Sequence, residues 1–200
     1  MTTDEARDAY ARRADDYIEL FGTIDSTSPI DRELVGRWAA GLDGPVLDVG
    51  CGPGQWTAWL HERGVDIAGA DPVMRFVDHA RASHPGCRFT VGRAENLAVA
   101  DSQLAGVLAW YSLIHTEPRH LAGVLVEFSR ALRPDGSLLL GFFTGDEMAP
   151  FGHAVTTAHF WPVSEMSRTL DEAGFTIRET HSRQDPGTRP LAAVIADRRR

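Results

Sequence analysis

A short apolar run, Val46-Leu47-Asp48-Val49, passes directly into Gly50-Cys51-Gly52-Pro53-Gly54 and then into Gln55-Trp56 at the head of a helical pattern. Three glycines at alternate positions between a strand and a helix leave backbone N–H groups bare, so a ligand can approach where any side chain would stand in the way. A turn alone does not require them, because each glycine costs chain entropy on folding. The spacing also discriminates among nucleotide ligands. A dinucleotide turn, Gly-x-Gly-x-x-Gly counted from Gly50, needs glycine or alanine at position 55, which is Gln55. A phosphate-binding loop ends in Gly-Lys-Ser/Thr, and this loop contains no lysine. Dinucleotides, ATP and GTP are disfavoured.

Around this turn, short apolar runs alternate with longer periodic segments, the pattern of repeated strand and helix units. Strands are predicted at residues 46–49, 66–70, 88–91, 105–110 and 137–143, with helices at 55–63, 73–83 and 119–132. A helix at 164–173, closed by Gly174, precedes two last strands at 175–179 and 191–196. A loop at 182–190 rather than a helix joins that pair, which implies a hairpin at one edge. The expected fold class is α/β: a Rossmann-like, seven-stranded, mostly parallel sheet with one antiparallel edge strand and helices on both faces. Upstream, residues 4–21 form an amphipathic helix with Tyr10 and Tyr17 two turns apart on one face, and Ser28-Pro29 opens a second helix closing near Gly41. The 200 residues fit a single domain, with 1–43 as an N-terminal helical lid and 44–200 as the core.

A formal charge of −8 argues against a protein that grips phosphate backbones, so no nucleic-acid partner is expected. No apolar run is long enough to span a bilayer, and Met1-Thr2-Thr3-Asp4-Glu5 is unlike a secretory leader, so a cytoplasmic protein without membrane association is expected. Cys51 and Cys87 make no disulfide framework, and His153 and His159 lack the spacing of a metal-binding pair, so no metal is expected.

The stretch Asp48-Val49-Gly50-Cys51-Gly52-Pro53-Gly54 resembles the first motif of the class I S-adenosylmethionine-dependent methyltransferases, an acidic residue followed by Gly-x-Gly-x-Gly. Four further segments follow in that family's order: Gly69-Ala70-Asp71-Pro72, Gly92-Arg93-Ala94-Glu95-Asn96-Leu97, Trp110-Tyr111-Ser112-Leu113-Ile114-His115 and Leu132-Arg133-Pro134-Asp135-Gly136-Ser137-Leu138. The resemblance covers residues from about 10 to 180 and is greatest to the small-molecule, ubiquinone-type branch. It implies S-adenosyl-L-methionine as cofactor and S-adenosyl-L-homocysteine as product. In that reading Asp71, followed by Pro72, accepts both ribose hydroxyls, and Gly50, Cys51, Gly52 and Gly54 offer backbone. Asp48 organises the turn and approaches the cofactor's amino group, directly or through water. Ala94 and Glu95 meet the adenine edge, although Glu95 equally suits a helix cap. Trp56, Trp110 and Tyr111 offer aromatic faces to the sulfonium, with core packing the other reading of each. Tyr17 and Arg13 close over the methionine end, unless the arginine belongs to a solvated face. The sequence departs from the family at Arg93 and Val73, where the family usually has Asp and Ser.

The implied reaction is in-line methyl transfer, governed by alignment and exclusion of water. His115, with an ordinary pKa of about 6.5, is the candidate base beside Tyr111, and a histidine pinning the loop after strand four is the other reading. Residues 144–162 are expected to form an acceptor-side insert whose Phe151, His153, His159, Phe160 and Trp161 wall a pocket for an apolar or aromatic small molecule. O- or N-methylation by a monomer or homodimer is expected. The alternatives are a non-catalytic S-adenosylmethionine-binding regulator and an enzyme of the same fold with another reaction type.

Overall fold

The computed structural model describes residues 3–200. Two short helices, α1 (Thr3–Arg12) and α2 (Ala14–Phe21), and a longer one, α3 (Pro29–Ala40), precede an alternation of strand and helix: β1 (Val46–Val49), α4 (Gln55–His61), β2 (Ile67–Asp71), α5 (Met74–Ser83), β3 (Arg88–Val91), β4 (Leu104–Trp110), α6 (Pro118–Ala131) and β5 (Leu132–Phe143). Then come β6 (Ala149–Gly152), β7 (Thr157–Phe160), α7 (Val163–Glu172), β8 (Phe175–Arg183) and β9 (Leu191–Arg198).

Seven strands form one sheet in the order β3-β2-β1-β4-β5-β9-β8. The first five run parallel, and β9 lies antiparallel between β5 and β8, so the β8–β9 hairpin forms one edge as the sequence predicts. Strand order reverses between β1 and β4, and in open α/β sheets the crevice beyond the carboxyl ends at such a point receives ligands. All four residues of β1 are buried, as expected for a central strand covered on both faces. On one face Leu121, Leu125 and Phe128 of α6 and Leu170 of α7 pack against the sheet, and on the other Leu34, Val35 and Trp38 of α3 meet Trp56 and Leu60 of α4.

The N-terminal segment departs from the single helix expected at 4–21. Arg13 leaves helical geometry (φ −117°, ψ 19°) and separates α1 from α2. A straight helix would set Tyr10 and Tyr17 about 10 Å apart along its axis. With the bend, their rings meet edge-on at 5.5 Å, and both pack on Phe76 of α5. The 144–162 stretch also differs, since it folds as a separate antiparallel hairpin, β6 with β7. Pro150 and Gly152 speak against a strand in sequence terms, and the hairpin tolerates them because it has only two strands, both of them edges.

Candidate active site

Asp71 ends β2 with its carboxylate turned back over the glycine turn. Its Oδ2 accepts from the Gly52 N–H at 2.9 Å and its Oδ1 from the Val73 N–H at 2.8 Å. One carboxylate thereby joins the loops that follow β1 and β2. Burial pushes its pKa up to about 6, and the two backbone hydrogen bonds oppose that shift. Asp48, inside β1, lies deeper and accepts a 2.7 Å hydrogen bond from Thr57 of α4. Its pKa is pushed up to about 7, burial outweighing the Thr57 hydroxyl. Asp48 braces the turn against α4 without reaching the cavity above it.

That cavity, of about 430 Å3, opens at the carboxyl ends of β1, β2 and β4. Gly50, Gly52, Asp71 and Pro72 form its floor, and Trp110, Tyr111, Ser112 and His115 one wall. Gly50 (φ +73°) could not carry a side chain, because a Cβ there would stand 2.3 Å from the Cβ of Ser112. Gly52 (φ +54°) is bare for another reason. A Cβ there would project toward the cavity, with only the Tyr17 ring within 4 Å, at 3.9 Å. The buried Ser112 Oγ has no hydrogen-bond partner among the described residues. A floor of bare backbone, a carboxylate at a strand end and an unengaged hydroxyl fit a polar, hydroxyl-bearing cofactor.

Not every residue singled out from the sequence reaches this cavity. Cys51 is buried against Val77, Ala80 and Phe89, where its thiol pKa is raised by desolvation, and Gly54 (φ +91°) exists for packing, since a Cβ would lie 2.8 Å from the Phe89 ring. Trp56 is buried behind Trp110, with ring centroids 5.9 Å apart. Ala94 packs against the main core and Glu95 is exposed, both outside the cavity lining.

Tyr111 takes a left-handed backbone (φ +55°), a conformation costing a bulky residue on the order of 1–3 kcal/mol. The kink turns its ring edge-on to Trp110 at 5.2 Å and against Phe143 at 5.6 Å. Burial, reinforced by the charge of Asp31, keeps the phenol protonated. Tyr111 and Trp110 also wall a second cavity of about 500 Å3, which contains the ion pair of Arg183 with Asp31.

The lid helices roof the first cavity. The Tyr10 hydroxyl lies 3.0 Å from His115 Nε2, and His115 Nδ1 lies 2.7 Å from the Thr157 carbonyl on the β6–β7 hairpin. A carbonyl only accepts, so Nδ1 carries the proton and Nε2 accepts from Tyr10. Burial pushes the His115 pKa down to about 4, against the opposing Thr157 carbonyl, where the sequence suggests a value near that of a free imidazole. Arg13 donates to the Ala154 carbonyl of the same hairpin. Tyr10 is the functional candidate that sequence reasoning leaves unassigned. Its only signal is the helical face it shares with Tyr17.

The aromatic wall expected from residues 144–162 is reduced to one side chain. Of Phe151, His153, His159, Phe160 and Trp161, only His153 lines the cavity. Phe151 and Phe160 are diagonal neighbours across the hairpin, stacked on each other at 4.2 Å, and Trp161 is buried in the core. His159 docks through its backbone N–H, which donates to the Ile114 carbonyl. Among the described residues no cluster of three metal-ligating side chains occurs, and no helix is long and apolar enough to cross a membrane.

Residues 46–136 match the family model described as a methyltransferase domain. An uncharacterised methyltransferase of Mycobacterium tuberculosis is 36% identical over 102 residues, covering 51% of this chain and 41% of its own length. The chain therefore spans about two fifths of such a relative. An O-methyltransferase of Aspergillus sclerotiorum is 27% identical over 85% of this chain and 69% of its own. The crystal structure of a Burkholderia thailandensis 1,6-didemethyltoxoflavin-N1-methyltransferase, with 1,6-didemethyltoxoflavin and S-adenosylhomocysteine bound, superposes with a TM-score of 0.79 at 20% identity over 98% of this chain and 88% of that one. The glycine turn and these matches make the chain similar to methyltransferases over residues 46–136, and the strand order and the structural likeness give it the fold of the class I S-adenosylmethionine-dependent methyltransferases.

Proposed function

We propose that this protein transfers a methyl group from S-adenosylmethionine to the oxygen or nitrogen of a small, apolar or aromatic molecule, releasing S-adenosylhomocysteine. The observation that carries the reading is the Asp71 carboxylate, held over the bare Gly52 backbone on the floor of a roofed cavity. Asp71 accepts the ribose hydroxyls with lone pairs that its two backbone bonds leave over. Gly50 and Gly52 offer the close backbone approach, with Pro72 alongside. The activated methyl group is the chemistry the cofactor supplies when bound.

The rest is done by the chain's own residues. Trp110 and Tyr111 present ring faces beside the transfer point, the surface a sulfonium favours. Tyr17, Tyr10 and Arg13 close the roof and exclude water. Alignment of that kind supplies up to about 7–11 kcal/mol of a barrier without covalent chemistry by the enzyme. His115, bonded at both nitrogens, holds the roof to the hairpin and thereby positions Tyr10. Asp48 acts behind the turn. Cys51, Gly54 and Trp56 support the cofactor floor by packing, and Ala94 and Glu95 sit on the loop after β3, where an adenine leaving the cavity would pass. The size of the cavity favours a small acceptor, and a formal net charge of −8 disfavours nucleic acid.

Incubation with S-adenosylmethionine and a panel of phenols, acids and heteroaromatic amines tests the proposal. S-adenosylhomocysteine should form only with an acceptor present, whose mass rises by one CH2. Cofactor binding without turnover on any acceptor would favour a regulator, and a product of unchanged mass would favour a different reaction.

A further inference from the structure

Two imidazoles line the cavity, with ring centroids 5.2 Å apart, and they are engaged differently. His115 has both nitrogens occupied, by Tyr10 and by the Thr157 carbonyl. His153 uses only one. Its Nδ1 accepts the Val155 N–H at 3.4 Å, which puts the proton of the neutral ring on Nε2, and Nε2 has no partner among the described residues. Phe143 and Phe151 hold the ring at centroid distances of 6.1 and 6.5 Å. Burial and the nearby Arg189 charge lower its pKa, so Nε2–H is a standing neutral donor.

Among the described residues the same cavity offers no free proton acceptor at depth. Asp71 accepts one backbone N–H at each oxygen and, in the methyl-transfer reading, gives its remaining lone pairs to the ribose hydroxyls, and Asp16 lies at the exposed rim. The cations are Arg7, paired with Asp4 and Asp8, and Arg13, on the Ala154 carbonyl. A hydroxyl that arrived protonated would find donors but no base.

We infer that the methyl acceptor binds as an oxyanion, a phenolate, enolate or carboxylate whose oxygen accepts the Nε2–H hydrogen bond of His153. This rests on the methyl-transfer reading and deepens it. A hydrogen bond to the charged form favours that form, and in a poorly solvated cavity a sulfonium within reach adds a strong attraction. The acceptor's proton goes to solvent before binding. An oxygen lone pair then forms the new O–C bond while the S–C bond breaks, its electron pair staying on sulfur. The positive and negative charges cancel and no proton moves.

Para-nitrophenol is a suitable probe, because its phenolate absorbs visible light and the phenol does not. Its pKa is read by absorbance when bound to the wild type, His153→Phe and His153→Gln, each saturated with S-adenosylhomocysteine. In the wild type the bound probe should titrate at least about one unit below the free phenol, a tenfold shift toward phenolate. His153→Phe keeps a ring without the donor and should abolish the shift, while the amide of His153→Gln should restore part of it. An unshifted wild-type probe, an equal shift in His153→Phe, or no binding of the probe overturns the inference. Calorimetry with S-adenosylhomocysteine separates the two levels. If the wild type fails to bind it, the methyl-transfer reading itself falls, whereas normal binding with an unshifted probe defeats only the oxyanion.

Discussion

The Tyr10 hydroxyl and His115 Nε2, 105 residues apart in sequence, meet at 3.0 Å and join the first lid helix to the loop that follows β4. His115 passes the connection to the β6–β7 hairpin through Thr157. Roof, sheet end and hairpin are thus tied by one imidazole. Tyr10→Phe keeps the packing against Phe76 and removes only the hydrogen bond, leaving a buried acceptor unpaired at a cost of about 1–3 kcal/mol. S-adenosylhomocysteine affinity should fall by roughly tenfold, the equivalent of 1.4 kcal/mol. Amide exchange over residues 3–21 should quicken. Unchanged affinity and exchange would mean that the roof closes without this bond.

His115→Asn separates a roof-holding residue from a base. With a pKa near 4, the histidine is a weak proton acceptor at neutral pH. The variant should weaken cofactor binding while leaving the pH profile of kcat at saturating cofactor unaltered. A fall in kcat of about 10² or more with loss of the acid limb would instead assign the base role.

Asp71 makes cofactor affinity depend on pH in a direction that can be worked out. Its pKa rises from 3.8 in the unfolded chain to about 6 in the fold, so the protonated form favours the empty fold. That contribution is fully present below pH 3.8 and is lost as pH rises through 6. Ribose hydroxyls donate to the ionised carboxylate, so binding gains as pH rises across the same window. Calorimetry should find S-adenosylhomocysteine affinity increasing from about pH 5 to 7 and then level, with a flatter curve for Asp71→Asn. Affinity that declines over this range in the wild type would contradict the assignment.

Strands β1 and β3 are legible to the residue, because each ends directly at a glycine, Gly50 and Gly92. The glycine turn and Asp71 are legible because their chemistry is local: a bare backbone and a carboxylate at a strand end. The β6–β7 hairpin is not, since four-residue strands carrying Pro150 and Gly152 give no periodic signal. Nor is the stacking of Phe151 on Phe160, which removes both rings from the cavity and leaves His153 to line it. The Tyr10–His115 bond joins distant segments, and the lowered His115 pKa is a product of burial that one residue type in sequence does not reveal.

Calorimetric titration of S-adenosylhomocysteine into the wild type and Gly52→Val, with folding checked by circular dichroism, tests the central claim most directly. A Cβ at Gly52 would meet only the Tyr17 ring, at 3.9 Å, so a valine there blocks the floor of the cavity at the cost of the strain of a left-handed backbone, which is greatest for a β-branched residue. The account predicts saturable one-to-one binding to the wild type and none measurable for a variant that remains folded. A wild type that does not bind, or a folded Gly52→Val that binds equally well, would contradict it.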